Sequence, residues 1–499
     1  MYRETNFCIE RIIFCVLMLI SYYFNRLEAA DTCNTSIFPS TFKFGAGTSA
    51  FQIEGGWNED GKSRSSWDWL SNTYSIYLNN ATGNVASDSY HQYKQDVASM
   101  VAMGLQNYKF SLSWSRILPK GLNYSINQAG VKYYHNLLDE LEAAGIEPLV
   151  TIYHWDTPYA LDLLGGWTNP KMVDYFVAYA DIAFSLFGDR VKLWATINEP
   201  KSFCEGILSV LVNIFPELPI GTYEYLCGHY AILAHAKAYR LYKKKYQATQ
   251  QGRVSLILNL SCNMGLTNST ADQEAAERKN LFEFGWFAHP IVYGDYPDIM
   301  QVVIANNSAS QGFLISRLPK FTSSEKLLIK GAYDFIMVNT YTSYMVTMAN
   351  YSNSPSYQND LQTSTSQSSE WLSSGLSTLK VHPEGTRKVL KWISDTYSSP
   401  EIIITENGFS DNTAILNDTD RIRFINATLT NIRLSMCSDS VNVTGYFYWS
   451  LIDSMEWNNG YTVKFGLVQV DFDSENRTRT LKDSAYYYKN LIQTRLIIG

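Results

Sequence analysis

Eight short strand-like runs, at 43–47, 107–113, 147–153, 191–197, 253–259, 334–338, 402–405 and 445–448, recur along this chain, each followed by a helix-like stretch. That alternation restricts the fold to α/β architectures, because parallel strands need a long crossover, usually a helix, between them. The stretches at 131–144 and 175–187 carry apolar residues at three- and four-residue spacing, as helices packed on a sheet require. An open doubly wound sheet and a closed (β/α)8 TIM barrel both fit. Acidic and aromatic residues follow so many strands that the barrel is favoured, since it gathers all its strand ends around one pocket. The 499 residues are 46% apolar, enough for one large barrel with long βα loops. No linker divides them, and the polar segment 350–374 reads as a long loop on the rim after the sixth strand.

Two glutamates stand at the ends of such runs: Glu199, followed by Pro200, and Glu406, followed by Asn407 and Gly408. A carboxylate at the end of a buried strand is usually paired, hydrogen-bonded or catalytic. An ordinary ion pair explains either one alone. Two opening onto one face match glycoside hydrolysis, which needs a proton donor for the leaving oxygen and a nucleophile or base.

The formal net charge of -7 excludes a nucleic-acid partner, since no basic patch offsets phosphate repulsion. At the N-terminus, Arg3 and Arg11 precede the apolar run 12–20, which is too short to span a bilayer and is followed by Ala29 and Ala30. This reads as a secretory signal over 1–29, with 30–499 forming the catalytic barrel and no membrane span after cleavage. Secretion to the extracellular space agrees with the sequons at Asn34, Asn80, Asn123, Asn259, Asn268, Asn306, Asn350, Asn417, Asn426, Asn442 and Asn476. Cys8 and Cys15 would leave with the signal. Among the remaining cysteines, a Cys204–Cys227 disulfide would close the loop after the Glu199 strand. No spacing resembles a zinc site and no Gly-rich loop a phosphate cradle, so no cofactor or metal is expected.

Five segments are recognisable together: Phe42 to Gly55, Tyr153-His-Trp-Asp156, Thr196-Ile-Asn-Glu-Pro200, Ile404-Thr-Glu-Asn-Gly408 and Trp449 to Trp457. From about Phe42 to Tyr488 the chain resembles glycoside hydrolase family 1, the β-glucosidase family. The resemblance implies a retaining mechanism, with Glu406 as nucleophile and Glu199 as acid/base. It implies that Gln52, His154, Asn198 and Asn339 bind sugar hydroxyls, and that Tyr341 bonds the nucleophile. Trp449 would stack under the sugar, with Glu456 and Trp457 at its far side. A carboxylate at Glu456 would repel a phosphate, so a 6-phospho-sugar is not expected.

One position departs from the family pattern. Where the family has arginine, Tyr108-Lys-Phe-Ser111 carries Lys109, which keeps the charge but not the planar fork. Lys109 is therefore placed in the catalytic group, and its replacement by arginine is expected to alter the acidic limb of the pH–rate profile. For the leaving-group side, the loop with Lys201, Phe203 and Glu205 and a wall at Trp371 are the candidates.

The expected activity is hydrolysis of a small-molecule β-glucoside at its terminal β-D-glucosyl residue, by a monomer or homodimer. A thioglucosidase of the myrosinase type is the alternative, and Glu199 favours O-glycosides over it. A non-catalytic sugar-binding or receptor module would typically lose one carboxylate, and both are present.

Overall fold

A computed structural model describes residues 37–206, 214, 217–350, 353–413 and 415–497. The expected signal over 1–29, Cys33 and Asn34 lie outside the described residues. Eight strands form a closed barrel: β1 (Lys43–Gly47), β2 (Asn107–Ser111), β3 (Glu147–Tyr153), β4 (Leu193–Asn198), β5 (Arg253–Asn259), β6 (Ile336–Asn339), β7 (Ile402–Asn407) and β8 (Val443–Trp449). They follow one another in chain order around the ring, all parallel, and β8 closes on β1. Most of their residues are buried, which is why the strands read as continuous apolar runs rather than alternating ones.

Each expected run meets a barrel strand: the first, third and fifth match end to end, and the other five differ at their ends. The second strand stops at Ser111, because Ser113 already leads into the turn of helix at Trp114–Ile117. The fourth starts at Leu193, the sixth spans Ile336–Asn339, and the eighth is longer at both ends. The seventh continues past its β-branched residues, because Glu406 is in register with Asn339 of β6. Segment 350–374 is not a bare loop. Helix Tyr357–Leu361 and strand Thr363–Ser366 lie within it, the strand pairing with Ser343–Met348.

Side chains sort to two sides of the barrel wall. Leu149, Leu193, Ala195, Ile257, Phe335, Met337, Ile403 and Phe447 form one buried cluster inside it. On the outer side, Trp194 meets Phe184 edge-on at 5.1 Å, fixing helix α2 (Met172–Phe187) on β4, while α1 (Gln128–Ala143) presents Tyr134 to Phe110 of β2. Helix α3 (Tyr223–Lys245) packs along α2 and supplies His235, which bonds Thr196 of β4 at 2.7 Å. Among the described residues, no helix is long and apolar enough to cross a membrane.

The sequons fall in different settings. Asn80, Asn123, Asn268, Asn306, Asn350, Asn417, Asn442 and Asn476 are exposed. Asn259, unlike these, ends β5 half-buried and in register with Asn339. Asn426 is half-buried in the helix Thr419–Ser438 and donates to the Tyr487 hydroxyl at 2.9 Å.

Candidate active site

Two breaks in strand register aim the site's side chains. Along β4, Ala195 faces the barrel interior and Thr196 faces α3, and strict alternation would then turn Asn198 outward. Pairing with β5 shifts between Ala195 and Asn198, and Asn198 instead meets Lys109 inside the barrel. Pairing of β7 with β6 shifts likewise between Ile404 and Glu406, and Glu406 reaches the same lysine. Irregularities of this kind re-aim side chains next to active sites. Period-two alternation in β2 suffices for Lys109, whose neighbours Tyr108 and Phe110 point into the outer core.

The groups form one connected network. Lys109, with no exposed surface, donates to Glu406 Oε1 at 2.5 Å and to Asn198 Oδ1 at 3.2 Å. The Tyr341 hydroxyl donates to Glu406 Oε2 at 2.8 Å. Asn339 donates to Glu199 Oε1 at 2.6 Å, and its own carbonyl accepts from Thr405 at 2.7 Å. Both Glu406 oxygens are thus held by donors. Ser202 takes the other side of Glu199, donating to Oε2 at 2.7 Å.

The two glutamates sit in different electrostatic settings. Glu199 is 8% exposed, and burial first, then the charge of Glu406, push its carboxyl up to about 7. Its bonds from Asn339 and Ser202 and the charge of Lys109 pull the other way. Beside Glu406 stands a buried cation and a phenol, partners that suit a carboxylate. One group therefore keeps a proton near neutrality while the other is surrounded by donors. Glu199 also has φ 43 and Trp155 φ 73, a left-handed backbone that costs a non-glycine residue energy and that clusters at functional sites. Trp155 Nε1 donates to the Asn198 carbonyl at 2.9 Å, so the two strained residues brace one corner.

Around this pair lie the remaining sugar-site candidates. Gln52 donates to the Met455 carbonyl at 2.7 Å and to Glu456 Oε2 at 3.3 Å, and it accepts from Ser49. Glu456 is pushed up to about 8 by burial and then by Glu406. His154 lies well below the usual imidazole range because of burial and Lys109, so it stays neutral; its Nε2 is 3.3 Å from Asn198 Nδ2. Its ring is nearly parallel to those of Trp449 and Trp457, at 5.8 and 6.1 Å. Gly408 is required after Glu406, because a Cβ there would lie 1.8 Å from the Trp449 carbonyl oxygen. That close approach locks the loop after β7 to the end of β8, which carries Trp449.

At the mouth, a cavity of about 230 Å³ is lined by Trp67, Trp155, Trp457, Ser202, Lys201 and Glu205, among others. Trp371, the expected wall, does not line this cavity and stacks on His382 at 4.4 Å. Trp155 lies inside the recognisable segment Tyr153-His-Trp-Asp156 but was not singled out, Trp67 lies in none of the segments, and Ser202 had only its position three residues after Glu199. Lys201 is paired with Glu205 at 3.0 Å, and Glu205 accepts from Gln358 at 2.9 Å. Cys204, in the same helical turn, is bonded to Cys227 of α3 with Cα atoms 5.5 Å apart, so the wall is tied to the scaffold.

Lys109→Met is expected to lower kcat by about 100-fold or more, because a cation aimed at the reacting centre is lost. It also costs about 3–5 kcal/mol of stability by leaving Glu406 buried without its ion partner. Lys109 depresses the Glu199 pKa, so the alkaline limb of the kcat/KM profile moves to higher pH in the variant. A pH–rate series with a urea titration checks both effects; an unmoved alkaline limb with unchanged stability would remove Lys109 from the site.

The comparisons agree with this geometry. The sequence model of Glycosyl hydrolase family 1 matches residues 34–496. Myrosinase 1 of Brevicoryne brassicae is 44% identical, over 92% of this chain and 98% of that protein. Among solved structures, an aphid myrosinase superposes with a TM-score of 0.88 at 43% identity, covering 92% of this chain and 99% of that one. A mutant of the rice Os3BGlu6 β-glucosidase, in a covalent complex with Glc, gives 0.86 at 37% identity, covering 91% and 98%. With a match over nearly its whole length and two glutamates joined across the rim of its barrel, this chain belongs to glycosyl hydrolase family 1.

Proposed function

We propose that the protein is a retaining β-glucosidase, with Glu406 as nucleophile and Glu199 as acid/base. The observation that carries this reading is the contrast between the pair: Glu406 between Lys109 and Tyr341, Glu199 proton-bearing up to about pH 7. The Glu406 carboxylate attacks the anomeric carbon as the bond to the leaving oxygen breaks, and Glu199 gives that oxygen its proton. Glu199 then takes a proton from water, which attacks the glycosyl-enzyme and releases Glu406. Gln52, His154, Asn198 and Glu456 bind the hydroxyls, Asn339 orients Glu199, and Trp449 with Trp457 supplies the apolar faces. All the chemistry comes from side chains, with no cofactor.

Two observations favour oxygen over sulfur as the leaving atom. Glu199 is positioned to protonate, and an alkoxide or phenoxide leaving group needs that proton more than a thiolate does. Lys201, the cation at the mouth, is already paired with Glu205 and offers little to a sulfated aglycone. The likeness to Myrosinase 1 keeps glucosinolates in the test. An aryl β-O-glucoside is expected to exceed a glucosinolate in kcat/KM by at least about tenfold, or 1.4 kcal/mol of transition-state stabilisation. The reverse order would make the enzyme a thioglucosidase, and no turnover of either would leave a binding module. Secretion after removal of residues 1–29, leaving 30–499 as the catalytic domain, belongs to the same proposal.

A further inference from the structure

The exposed sequon at Asn80 abuts the loop that carries Glu456 and Trp457. Asn79 and Asn80 are both left-handed, at φ 55 and 58, a conformation asparagine accepts in tight turns. The turn is closed by Asn80 N–H to the Ser75 carbonyl at 2.8 Å and Ala81 N–H to the Leu78 carbonyl at 3.0 Å. Gly460 presses against it: a Cβ on Gly460 would lie 2.7 Å from the Ala81 Cβ and 3.0 Å from the Leu78 carbonyl oxygen. Gly460 in turn accepts from Glu456 N–H at 2.7 Å and donates to the Trp457 carbonyl at 3.1 Å. Displacing the Asn80 turn therefore displaces the backbone that presents the two sugar-site side chains.

A groove of about 440 Å³ opens beside this contact, lined by Asn80, Thr82, Ala86, Tyr461 and Arg477, among others. That volume is in the range of sites that bury small ligands. Its floor is fixed, with the Tyr461 hydroxyl donating to the Thr82 carbonyl at 2.7 Å and Arg477 Nε to the Ala86 carbonyl at 3.1 Å. An aromatic face beside guanidinium and peptide groups suits an amido sugar, which offers an apolar ring face together with hydroxyl and acetamido groups.

We propose that Asn80 carries an N-linked glycan whose first N-acetylglucosamine residues lie in this groove and brace the Gly460 turn, so that the modification supports glucose binding by Glu456 and Trp457. The bond forms between Asn80 Nδ2 and the anomeric carbon of a diphosphate-linked sugar donor, the amide losing one proton and the donor its diphosphate. The inference rests on the secretory reading.

The test is glycopeptide mass spectrometry of the secreted full chain, followed by timed deglycosylation of the native protein with an amidase. Support is an occupied Asn80 whose glycan is released more slowly than that at Asn268 or Asn476, with KM for an aryl glucoside raised about threefold in Asn80→Gln and Thr82→Ala but not in Thr82→Ser, which keeps the sequon. No glycan at any sequon would sink the secretory reading and the inference together. Glycans elsewhere with Asn80 bare would overturn the inference alone. Release as fast as at the other sites would overturn the groove, and an unchanged KM in both sequon-free variants would overturn the bracing.

Discussion

Glu406→Ala is expected to lower kcat on aryl β-glucosides by about 10,000-fold or more while the barrel stays folded, because the covalent step has no other nucleophile. Both Glu406 oxygens are held, one by Lys109 and one by Tyr341, and neither donor can replace it. The space left by the carboxylate gives a sharper readout than the loss itself. Azide entering there attacks the anomeric carbon from the nucleophile's side, so rescued turnover should yield the α-glucosyl azide. A β-glucosyl azide from this variant would mean that Glu406 was not on that face. Loss of its charge also removes one of the two causes that raise Glu199, so any rescued activity should fall off at lower pH than in the native enzyme. Kinetics with azide, product NMR and a thermal melt check the three statements.

Glu199→Gln is expected to separate substrates by leaving group. Without its proton donor, turnover of an alkyl glucoside should fall by about 100- to 10,000-fold. Formation of the glycosyl-enzyme from a dinitrophenyl glucoside, which needs no protonation, should be much less affected. Since hydrolysis of that intermediate also needs Glu199 as base, the second step becomes slow and a burst of dinitrophenol precedes steady state. The pH dependence carries a definite sign. Glu199 must be protonated to act as acid and titrates at about 7, so native activity on alkyl glucosides declines as pH rises through about 7, and this limb is absent from the Gln variant. Equal losses on all leaving groups, with the alkaline limb intact, would assign the proton donor elsewhere.

Much of this account was legible before any coordinates. The eight runs alternating with helical stretches limited the fold to α/β, and the acidic and aromatic residues after so many strands, such as Glu199 and Glu406, selected the closed barrel. Glu199, Glu406 and the sugar-site residues followed from motifs whose order along the chain matched one family. What could not be read was how side chains are aimed. Strict alternation from Ala195 turns Asn198 out of the pocket, and only the register breaks in β4 and β7 bring Asn198 and Glu406 to Lys109. A bulge depends on pairing with the neighbouring strand, and no local pattern encodes it. Trp371 shows a related limit: being aromatic on a long loop says nothing about which partner it stacks on, which in the fold is His382. Ser202 was missed because a lone serine after a proline has no distinguishing signal until the turn brings its hydroxyl to Glu199.

Lys109 is where the chain departs from the pattern that its family resemblance implies. A point charge on a flexible stem replaces a planar fork, yet it is buried without exposed surface and bonded to both Glu406 and Asn198. It therefore joins Glu406, the proposed nucleophile, to a candidate sugar-binding asparagine with a single ammonium group. Packing against Trp449, whose ring lies 5.5 Å from the ammonium nitrogen, takes over some of the orientation that the fork would supply.

The central claim is the covalent role of Glu406, and trapping tests it most directly. A 2-deoxy-2-fluoro-β-glucoside with a good leaving group slows both steps, the second more than the first, so the intermediate accumulates. Peptide mass spectrometry of the inactivated full chain is predicted to find one fluoroglucosyl group, esterified to Glu406, with none in Glu406→Ala. A label on another side chain, or inactivation without any covalent label, would contradict the assignment.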